Sequence, residues 1–308
     1  MTSTRLRLGT RASALARWQA DWVAARIGEL GVEVELVPIS TVGDREQQGP
    51  IGAMGGQGVF TKEIQRALLD DRIDLAVHSL KDLPTEKVDG LCLAAVPERA
   101  PCGDALVSCK YDSLDSLPEG AILGTGSLRR RSQILHVRPD LRTKDVRGNV
   151  ETRVQKVDDG EFDALILAVA GLRRLGLGDR ITQTLPMDVI LPAIGQGALG
   201  LETRTDDAVT RGTVEKLTDP ATFAAVLAER AMLLTLQGGC LAPIAAWGRV
   251  ENEELTLSGR VLSVDGTNRL ESVMTGGRED PEELGRRVAA ALLDQGAADL
   301  VSESRDSF

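Results

Sequence analysis

Positively charged side chains concentrate in one short part of an otherwise acidic chain. Residues 124–153 contain seven arginines and one lysine against three acidic residues, whereas the 308-residue chain has 36 Lys and Arg, 46 Asp and Glu, and a formal net charge of −10. Guanidinium groups bind carboxylates and phosphates through paired N–H donors. The cluster therefore predicts a binding site for a small anionic ligand.

Three stretches share one construction, in which an apolar strand runs into a glycine turn and then into a helix start with arginines close by. They read LGTRAS at 8–13, LGTGSLRR at 123–130 and VRGNVETR at 146–153. In an open α/β sheet such turns lie at the carboxyl ends of strands, where free backbone N–H groups and the helix dipole favour an anion. A solvated helix face is the alternative for any one arginine, but three repeats favour a site. The candidate binding residues are Arg11, Ser13, Thr125, Ser127, Arg129, Arg130, Arg147 and Arg153.

A candidate acid follows another apolar strand, in LAVHSLKDLP at 75–84. Ser79, Lys81 and Asp82 stand just beyond the strand. A carboxylate there could stabilise a cation or move a proton. The alternative is a local surface pair between Lys81 and Asp82, and we interpret His78, on the strand itself, as a core residue.

A candidate covalent attachment point is Cys240, in LQGGCLAP at 236–243. Two glycines beside a cysteine make sense if they clear space for a bulky group on the sulfur. The alternative is an inert buried thiol. Residues 43–60 contain six glycines and predict a mobile lid; a phosphate loop is less favoured because no GK[ST] follows.

Composition excludes several classes of function. The acidic balance and an aromatic content of 3% argue against a nucleic-acid binder. Four cysteines without a CxxC pair, beside two histidines, predict reduced thiols and no metal site. No run approaches the roughly 20 apolar residues of a membrane span, and the charged first residues do not fit a signal peptide. We therefore expect a cytoplasmic protein that binds neither nucleic acid nor membrane.

Hydrophobic periodicity predicts an α/β fold followed by a small α+β domain. We predict parallel strands at 5–9, 33–39, 75–79, 91–96, 105–109, 121–124, 143–146 and 164–169, and helices at 13–30, 61–70, 128–137, 150–157 and 220–236. The C-terminal part is predicted to hold strands at 244–250, 255–263 and 269–275 and a helix at 281–295. Residues 96–104 and 191–200 are interpreted as connectors. The predicted domains are residues 1–98 with 195–216, residues 103–190, and residues 220–308.

Seven blocks together resemble the porphobilinogen deaminase family, also called hydroxymethylbilane synthase. They read GTRASALARWQA, HSLKDLP, GTGSLRRR, VRGNVETR, ILAVAGLRRLG, LPAIGQGALG and QGGCLAP. The resemblance runs in order from about residue 5 into the C-terminal domain. It implies two domains similar to periplasmic binding proteins flanking a cleft, plus a small C-terminal α+β domain.

The resemblance also implies a transferase of porphyrin and haem biosynthesis. The family joins four porphobilinogen molecules head to tail, with release of ammonia, into the linear tetrapyrrole hydroxymethylbilane. Growth occurs on a dipyrromethane cofactor made from substrate and held by a thioether to a cysteine. Each pyrrole carries an acetate and a propionate, which would explain the clustered arginines. A monomer is expected.

Family correspondence assigns roles to individual residues. Asp82 is expected to be catalytic, and Cys240 to carry the cofactor. The other expected cofactor-binding residues are Ser79, Lys81, Thr125, Ser127, Arg129, Arg130, Arg147 and Gly148. The expected substrate-binding residues are Arg11, Ser13, Arg153 and Phe60.

Two residues depart from the family pattern, and two other functions compete with it. Gln57 stands where many members have lysine, and Gly126 stands where the GTSSLRR form has serine, so each removes a contact that an anion could use. A non-catalytic binding protein for a small polyanion would use the same two-domain cleft, but it needs neither Asp82 nor Cys240. The ligand domain of a transcription regulator would need a basic DNA-reading helix, which the sequence does not show.

Overall fold

The computed structural model of the chain describes residues 5–40, 61–239 and 242–306. The described parts of residues 1–100 and 198–223 form one compact unit, and those of residues 101–197 and 224–308 form a second. Within these ranges no helix has the length and apolarity to cross a membrane. The same ranges contain no group of three His, Cys, Asp or Glu side chains that could hold a metal ion.

The described secondary structure mixes strands and helices up to residue 235, and then three strands are followed by two helices. The strands are β1 (Arg5–Thr10), β2 (Glu33–Pro38), β3 (Leu75–Ser79), β4 (Leu91–Ala95), β5 (Asp104–Val107), β6 (Ile122–Gly124), β7 (Arg142–Lys144), β8 (Ala164–Ala168), β9 (Gln183–Thr184), β10 (Leu199–Arg204), β11 (Ile244–Glu251), β12 (Glu254–Leu262) and β13 (Arg269–Gly277). The helices are α1 (Ala14–Gly28), α2 (Lys62–Leu69), α3 (Leu128–Val137), α4 (Val150–Asp158), α5 (Val169–Arg174), α6 (Ala208–Val214), α7 (Pro220–Thr235), α8 (Pro281–Asp294) and α9 (Ala297–Asp306). All strands and helices predicted from the sequence are present, with ends that differ by no more than about two residues.

A five-stranded mixed sheet forms the centre of the first unit, in the order β2-β1-β3-β10-β4. β1 is parallel to β2 and to β3, whereas β10 is antiparallel to β3 and β4. Apolar side chains of α1, among them Val23 and Ile27, pack with Leu6 and Leu8 of β1 in one core cluster. This packing places the start of α1 beside the carboxyl end of β1.

A second five-stranded sheet belongs to the other unit, in the order β7-β6-β8-β5-β9. β6 is parallel to β7 and β8, and β5 is antiparallel to β8 and β9. Ile134 of α3 packs in a core cluster with Leu123 of β6, and Val154 of α4 packs in another with Leu165 of β8. The α/β fold class predicted from the sequence is confirmed.

The C-terminal part of the second unit is a three-stranded antiparallel sheet, in the order β11-β12-β13. One face of this sheet packs with α7, α8 and α9, through side chains such as Met232, Leu257 and Val288. This part matches the predicted small α+β domain. It belongs to the same compact unit as residues 101–197, so its separation as a third domain stays a prediction.

The C-terminal sheet also contacts helix α3. Gly266, in the turn between β12 and β13, has φ +78° and lies against α3 so closely that a Cβ atom would stand 2.5 Å from the Ser132 carbonyl oxygen. The Gly266 carbonyl oxygen lies 2.8 Å from Nδ1 of His136. Only glycine satisfies both the positive φ and the close approach. The turn therefore fixes the flank of α3 from outside the α/β sheet.

Strand β10 was not predicted, and the interpretation of residues 191–200 as a connector was wrong at its end. The strand begins at Leu199. Its centre carries Glu202, which is 5% exposed. A charged residue in the middle of a strand normally indicates an exposed edge, but here His78 and Gln65 satisfy the buried carboxylate. The antiparallel β10 also makes this sheet mixed rather than parallel. The prediction that the strand at 105–109 is parallel was wrong too, because β5 is antiparallel to β8 and β9.

Candidate functional site

The three stretches selected from the sequence all have the predicted strand, turn and helix. β1 leads through residues 11–13 into α1, β6 leads through 125–127 into α3, and β7 leads through 145–149 into α4. The first of these turns belongs to the first unit and the other two belong to the second unit. Each unit therefore has its own group of candidate residues.

In the second unit the two glycine turns lie against each other. β6 and β7 are parallel neighbours, so their carboxyl ends lie at the same sheet edge. The Thr125 backbone N–H donates to the Lys144 carbonyl oxygen at 3.0 Å. A Cβ atom on Gly126 would stand 3.3 Å from the Val146 carbonyl oxygen. A side chain at position 126 would therefore require the Val146 carbonyl oxygen to shift by a few tenths of an ångström.

Ser127 and Gly148 mark the starts of the two helices beside this edge. Ser127 is the N-cap residue of α3 and makes no side-chain capping hydrogen bond, so the first N–H groups of α3 receive no acceptor from this side chain. Gly148 has φ +109°. Its carbonyl oxygen accepts a 2.7 Å hydrogen bond from Nε of Arg153. Arg147, in the second of these turns, is half-buried.

Arg129 and Arg130, in the first turn of α3, bind a carboxylate of the protein itself. Asp104, the first residue of β5, accepts hydrogen bonds from Nη1 of Arg129 at 2.7 Å and from Nε and Nη2 of Arg130 at 3.0 and 2.7 Å. The two arginines are 4% and 7% exposed, and Asp104 is 0% exposed. Sequence analysis missed Asp104, because nothing local indicates that its partners lie on a helix about 25 positions along the chain.

Burial and the neighbouring charges determine the directions in which the pKa values of Asp104 and Arg129 shift. Burial alone would raise the pKa of Asp104, but the charges of Arg129 and Arg130 and their hydrogen bonds hold it well below its usual range. Burial and the neighbouring Arg130 lower the pKa of the Arg129 guanidinium, against the opposing effect of Asp104. Asp104 is therefore ionised at neutral pH.

One positive charge is therefore left over in this buried cluster, since two guanidinium groups share one carboxylate. The Nε atom of Arg129 is also buried without a hydrogen-bond partner. A buried, uncompensated charge is costly unless a counter-ion neutralises it. The cluster is thus suited to accept one carboxylate from a ligand.

In the first unit four candidate residues, Arg11, Ser13, Ser79 and Asp82, line one pocket, whereas Lys81 is not among its lining residues. The empty volume of this pocket is about 450 Å³. Ser13, at its edge, caps α1 by accepting a 3.3 Å hydrogen bond from the Ala16 backbone N–H. The residues that line the pocket are Arg11, Ser13, Leu15, Ala16, Gln19, Thr61, Ile64, Val77, His78, Ser79 and Asp82.

Asp82 reaches this pocket from a single helical turn directly after β3. The turn comprises Leu80–Asp82. Leu80 and Leu83 are 1% and 6% exposed, and the Leu80 backbone N–H donates to the Ala198 carbonyl oxygen at 3.0 Å. The two buried leucines anchor the turn, so Lys81 and Asp82 between them stay half-exposed.

The pocket wall beside Asp82 is held by side-chain hydrogen bonds. Nε2 of the buried Gln19 donates to Oγ of Ser79 at 2.8 Å. Nε2 of His78 lies 3.0 Å from Glu202, whose other oxygen accepts from Gln65 at 2.9 Å. The interpretation of His78 as a satisfied core residue is confirmed. Gln19 is a pocket residue that sequence analysis did not select.

Two expected site residues, Phe60 and Cys240, lie outside the described residues, as does Gln57. Gly238 is one of the two glycines that precede Cys240 in the sequence. A Cβ atom there would stand 2.1 Å from Cδ1 of Ile244. This neighbour is the far end of a side chain that can shift, so whether the two glycines clear space for a group on the Cys240 sulfur stays a prediction.

Comparison with known proteins links the chain to one family. Residues 6–212 match the family described as "Porphobilinogen deaminase, dipyromethane cofactor binding domain", and residues 223–294 match "Porphobilinogen deaminase, C-terminal domain". The porphobilinogen deaminase of Geobacter sulfurreducens is 49% identical over 305 residues, which cover 98% of this chain and 96% of that protein. The porphobilinogen deaminase of Acidithiobacillus ferrooxidans is 48% identical over 304 residues, which cover 98% and 99%. A methionine-binding protein of known structure is a distant likeness, with 14% identity, a TM-score of 0.45, and coverage of 69% of this chain and 89% of that chain.

Proposed function

The chain belongs to the porphobilinogen deaminase family, and from this premise we propose that it joins four porphobilinogen molecules head to tail into hydroxymethylbilane, with release of ammonia. Relatives of nearly equal length carry the family's name. The reaction is that of a transferase in tetrapyrrole biosynthesis. A non-catalytic binding protein is not favoured by these relatives.

The observation that carries the proposal is the surplus positive charge beside Asp104. The two buried guanidinium groups of Arg129 and Arg130 share this one carboxylate. Porphobilinogen carries an acetate and a propionate, so each added unit brings two carboxylates. A planar guanidinium binds a carboxylate through two parallel hydrogen bonds. The turns at 125–127 and 145–149 add backbone N–H donors at the same sheet edge.

The residues present fit the dipyrromethane cofactor for which the matching family domain is named. The unpartnered Nε of Arg129 and the uncompensated charge both call for a carboxylate. We propose that the thiol of Cys240 carries the cofactor through a thioether. The other residues proposed to bind it are Ser79, Lys81, Thr125, Ser127, Arg129, Arg130, Arg147 and Gly148. When bound, the cofactor supplies the pyrrole carbon to which substrate is added.

The proposed catalytic residue is Asp82, on the rigid turn after β3. Loss of ammonia from the aminomethyl group of porphobilinogen leaves positive charge on the pyrrole ring. A fixed carboxylate near the pyrrole N–H lowers the free energy of that charged species. The same carboxylate can accept the proton that leaves when the ring regains aromaticity. The half-exposed position of Asp82 in the pocket allows it to contact substrate.

Incoming porphobilinogen is proposed to bind through Arg11, Ser13, Arg153 and Phe60. The first two line the same pocket as Asp82, which places anion-binding groups on the wall shared with the proposed acid. We also propose a cytoplasmic monomer that binds neither nucleic acid nor membrane. The net charge of −10 supports the exclusion of nucleic acid.

Incubation of the purified protein with porphobilinogen tests the proposal. We expect release of one ammonia for each porphobilinogen consumed and one linear tetrapyrrole for every four. Saturable binding of porphobilinogen without ammonia release would contradict the proposed reaction and favour the binding protein. Denatured protein provides the blank for spontaneous condensation.

A further inference from the structure

Within the described ranges several carboxylates pair with two arginines. Asp104 differs from the others in its surroundings. Its side chain is 0% exposed. It accepts four hydrogen bonds from side chains, three from Arg129 and Arg130 and one from Nε2 of Gln196 at 3.0 Å. Gln196 is itself held by the Cys102 carbonyl oxygen at 2.7 Å. The carboxylate is therefore fixed from several directions.

Asp74, in the first unit, offers a direct comparison. It pairs with Arg7 at 2.7 Å and Arg204 at 3.3 Å. Its side chain is 14% exposed and those of the two arginines are 36% and 17% exposed. Arg7 and Arg204 also contact Asp71, and Arg204 contacts Asp207. The cluster around Asp74 is therefore solvated and has no surplus of positive charge.

The cluster around Asp104, in contrast, contains more positive than negative charge. No second carboxylate contacts Arg129 or Arg130 within the described ranges, and Nε of Arg129 has no partner. Like charges on two adjacent buried guanidinium groups repel strongly in a medium of low dielectric constant. A single fixed carboxylate between them offsets part of this repulsion and sets their positions.

We propose that Asp104 is an internal counter-ion that positions Arg129 and Arg130, neutralises one of their two charges, and leaves the other for a carboxylate of the bound ligand. The identity of that ligand rests on the proposed function, whereas the role of Asp104 as a counter-ion does not. Asp104 and the ligand carboxylate thus complete one charge-balanced cluster. Asp104 touches no reacting atom, so it acts through the arginines.

A linkage between anion binding and folding follows from this arrangement. Without Asp104 the folded protein holds two uncompensated buried charges, and any anion that binds them stabilises the folded state. A purely structural role would give a different result, because a lost packing contact is not restored by an anion. The two roles can therefore be separated by unfolding measurements alone.

The first test compares the unfolding temperatures of wild type, Asp104→Asn and Asp74→Asn as sodium sulfate replaces sodium chloride at constant ionic strength. The measurements are made on the full chain, with and without Cys240→Ala, so that a bound cofactor does not mask the cluster. We expect Asp104→Asn to unfold about 10 °C below wild type in chloride. Sulfate should raise its unfolding temperature by about 5 °C more than that of wild type or Asp74→Asn. Equal sulfate effects in the three proteins would overturn the proposal.

The second test uses a variant in which the cluster has the same net charge as in the wild type. It also provides a result if Asp104→Asn alone does not fold. The double variant Asp104→Asn with Arg130→Gln leaves one positive charge in the cluster, as in the wild type. We expect it to be more stable than Asp104→Asn alone and to lose the extra sulfate effect. Additive losses from the two substitutions would overturn the proposal. If the wild type does not consume porphobilinogen, the proposed function is wrong. The unfolding results for the Asp104 variants can still be interpreted in that case.

Discussion

Replacement of Arg260 by methionine would remove the side chain that joins the C-terminal sheet to helix α3. Arg260, on β12, is 2% exposed. Its Nη1 donates to Oε1 of Gln133 at 2.7 Å, and its Nη2 donates to the Asp188 carbonyl oxygen at 3.1 Å. Gln133 in turn holds the Leu191 backbone, to which Arg129 also donates. Arg260 therefore supports the helix that presents the arginine pair.

The expected loss of stability depends on the hydrogen bonds and solvation that the partners of Arg260 retain after the substitution. The Glu271 carboxylate, which accepts from Nε of Arg260 at 2.5 Å, is 39% exposed and can be solvated again. Oε1 of Gln133 keeps its hydrogen bond from the Leu191 N–H. Methionine retains most of the apolar stem and avoids the cost of burying a charge. We therefore expect a loss of about 2–3 kcal/mol, or a fall of about 4–12 °C in unfolding temperature.

The matched control is Arg249→Met, on neighbouring strand β11. Arg249 stacks on Trp247, with its guanidinium carbon 4.4 Å from the ring centroid, and its Nη1 donates to Oγ of Ser258. Neither contact involves α3. The assay combines thermal unfolding with steady-state kinetics on porphobilinogen. We expect Arg260→Met to raise the KM for porphobilinogen about tenfold, because misplaced guanidinium groups lose one aligned contact to a cofactor carboxylate and so displace the pyrrole carbon that substrate must reach, and Arg249→Met to leave it near the wild-type value.

A result in which Arg260→Met loses stability but keeps the wild-type KM would refute this reasoning. The C-terminal sheet would then stabilise the unit without setting the position of the arginine pair. Equal increases in KM for both variants would also refute it, because the effect would not pass through α3.

Three further predictions concern charge. Asp82→Asn should retain the cofactor, measured by intact mass, and lose roughly 100- to 1,000-fold in kcat; near-normal turnover would exclude a role for this carboxylate. Raising the sodium chloride concentration from about 0.05 to 0.5 M should increase the KM about fivefold with little change in unfolding temperature, and a constant KM would count against several anion contacts. Burial would raise the pKa of Asp74, but hydrogen bonds from Arg7 hold the pKa below its usual value. The ionised Asp74 should therefore contribute its full stabilisation above about pH 4, and this stabilisation should disappear as the pH falls further. In acid titrations Asp74→Asn should therefore lose less stability than wild type, and identical titration curves would contradict this.

Local sequence patterns predicted much of the fold and the three turns. Strand alternation, helix periodicity and glycine placement are properties of a few neighbouring residues, and LGTRAS, LGTGSLRR and VRGNVETR each form the expected strand, turn and helix. The proposal that these turns bind an anion rests on the same local features. This is why the candidate residues could be selected before their positions were known.

Residues whose role depends on distant partners could not be predicted in this way. Asp104 begins a strand and looks like a surface residue until Arg129 and Arg130 approach it from α3. Strand β10 was missed because Glu202 at its centre is acceptable only beside His78 and Gln65. In both cases a buried carboxyl group is hydrogen-bonded by side chains from other parts of the chain.

The central claim is that the chain holds its growing product by a covalent bond to Cys240 in an electropositive site. The most direct test is the intact mass of the purified protein before and after a limiting amount of porphobilinogen, with Cys240→Ala as the control. We predict that wild type exceeds its sequence mass by one dipyrromethane and then gains mass in steps of one pyrrole unit, whereas Cys240→Ala shows neither change. An unmodified mass in protein that turns over porphobilinogen would contradict the account.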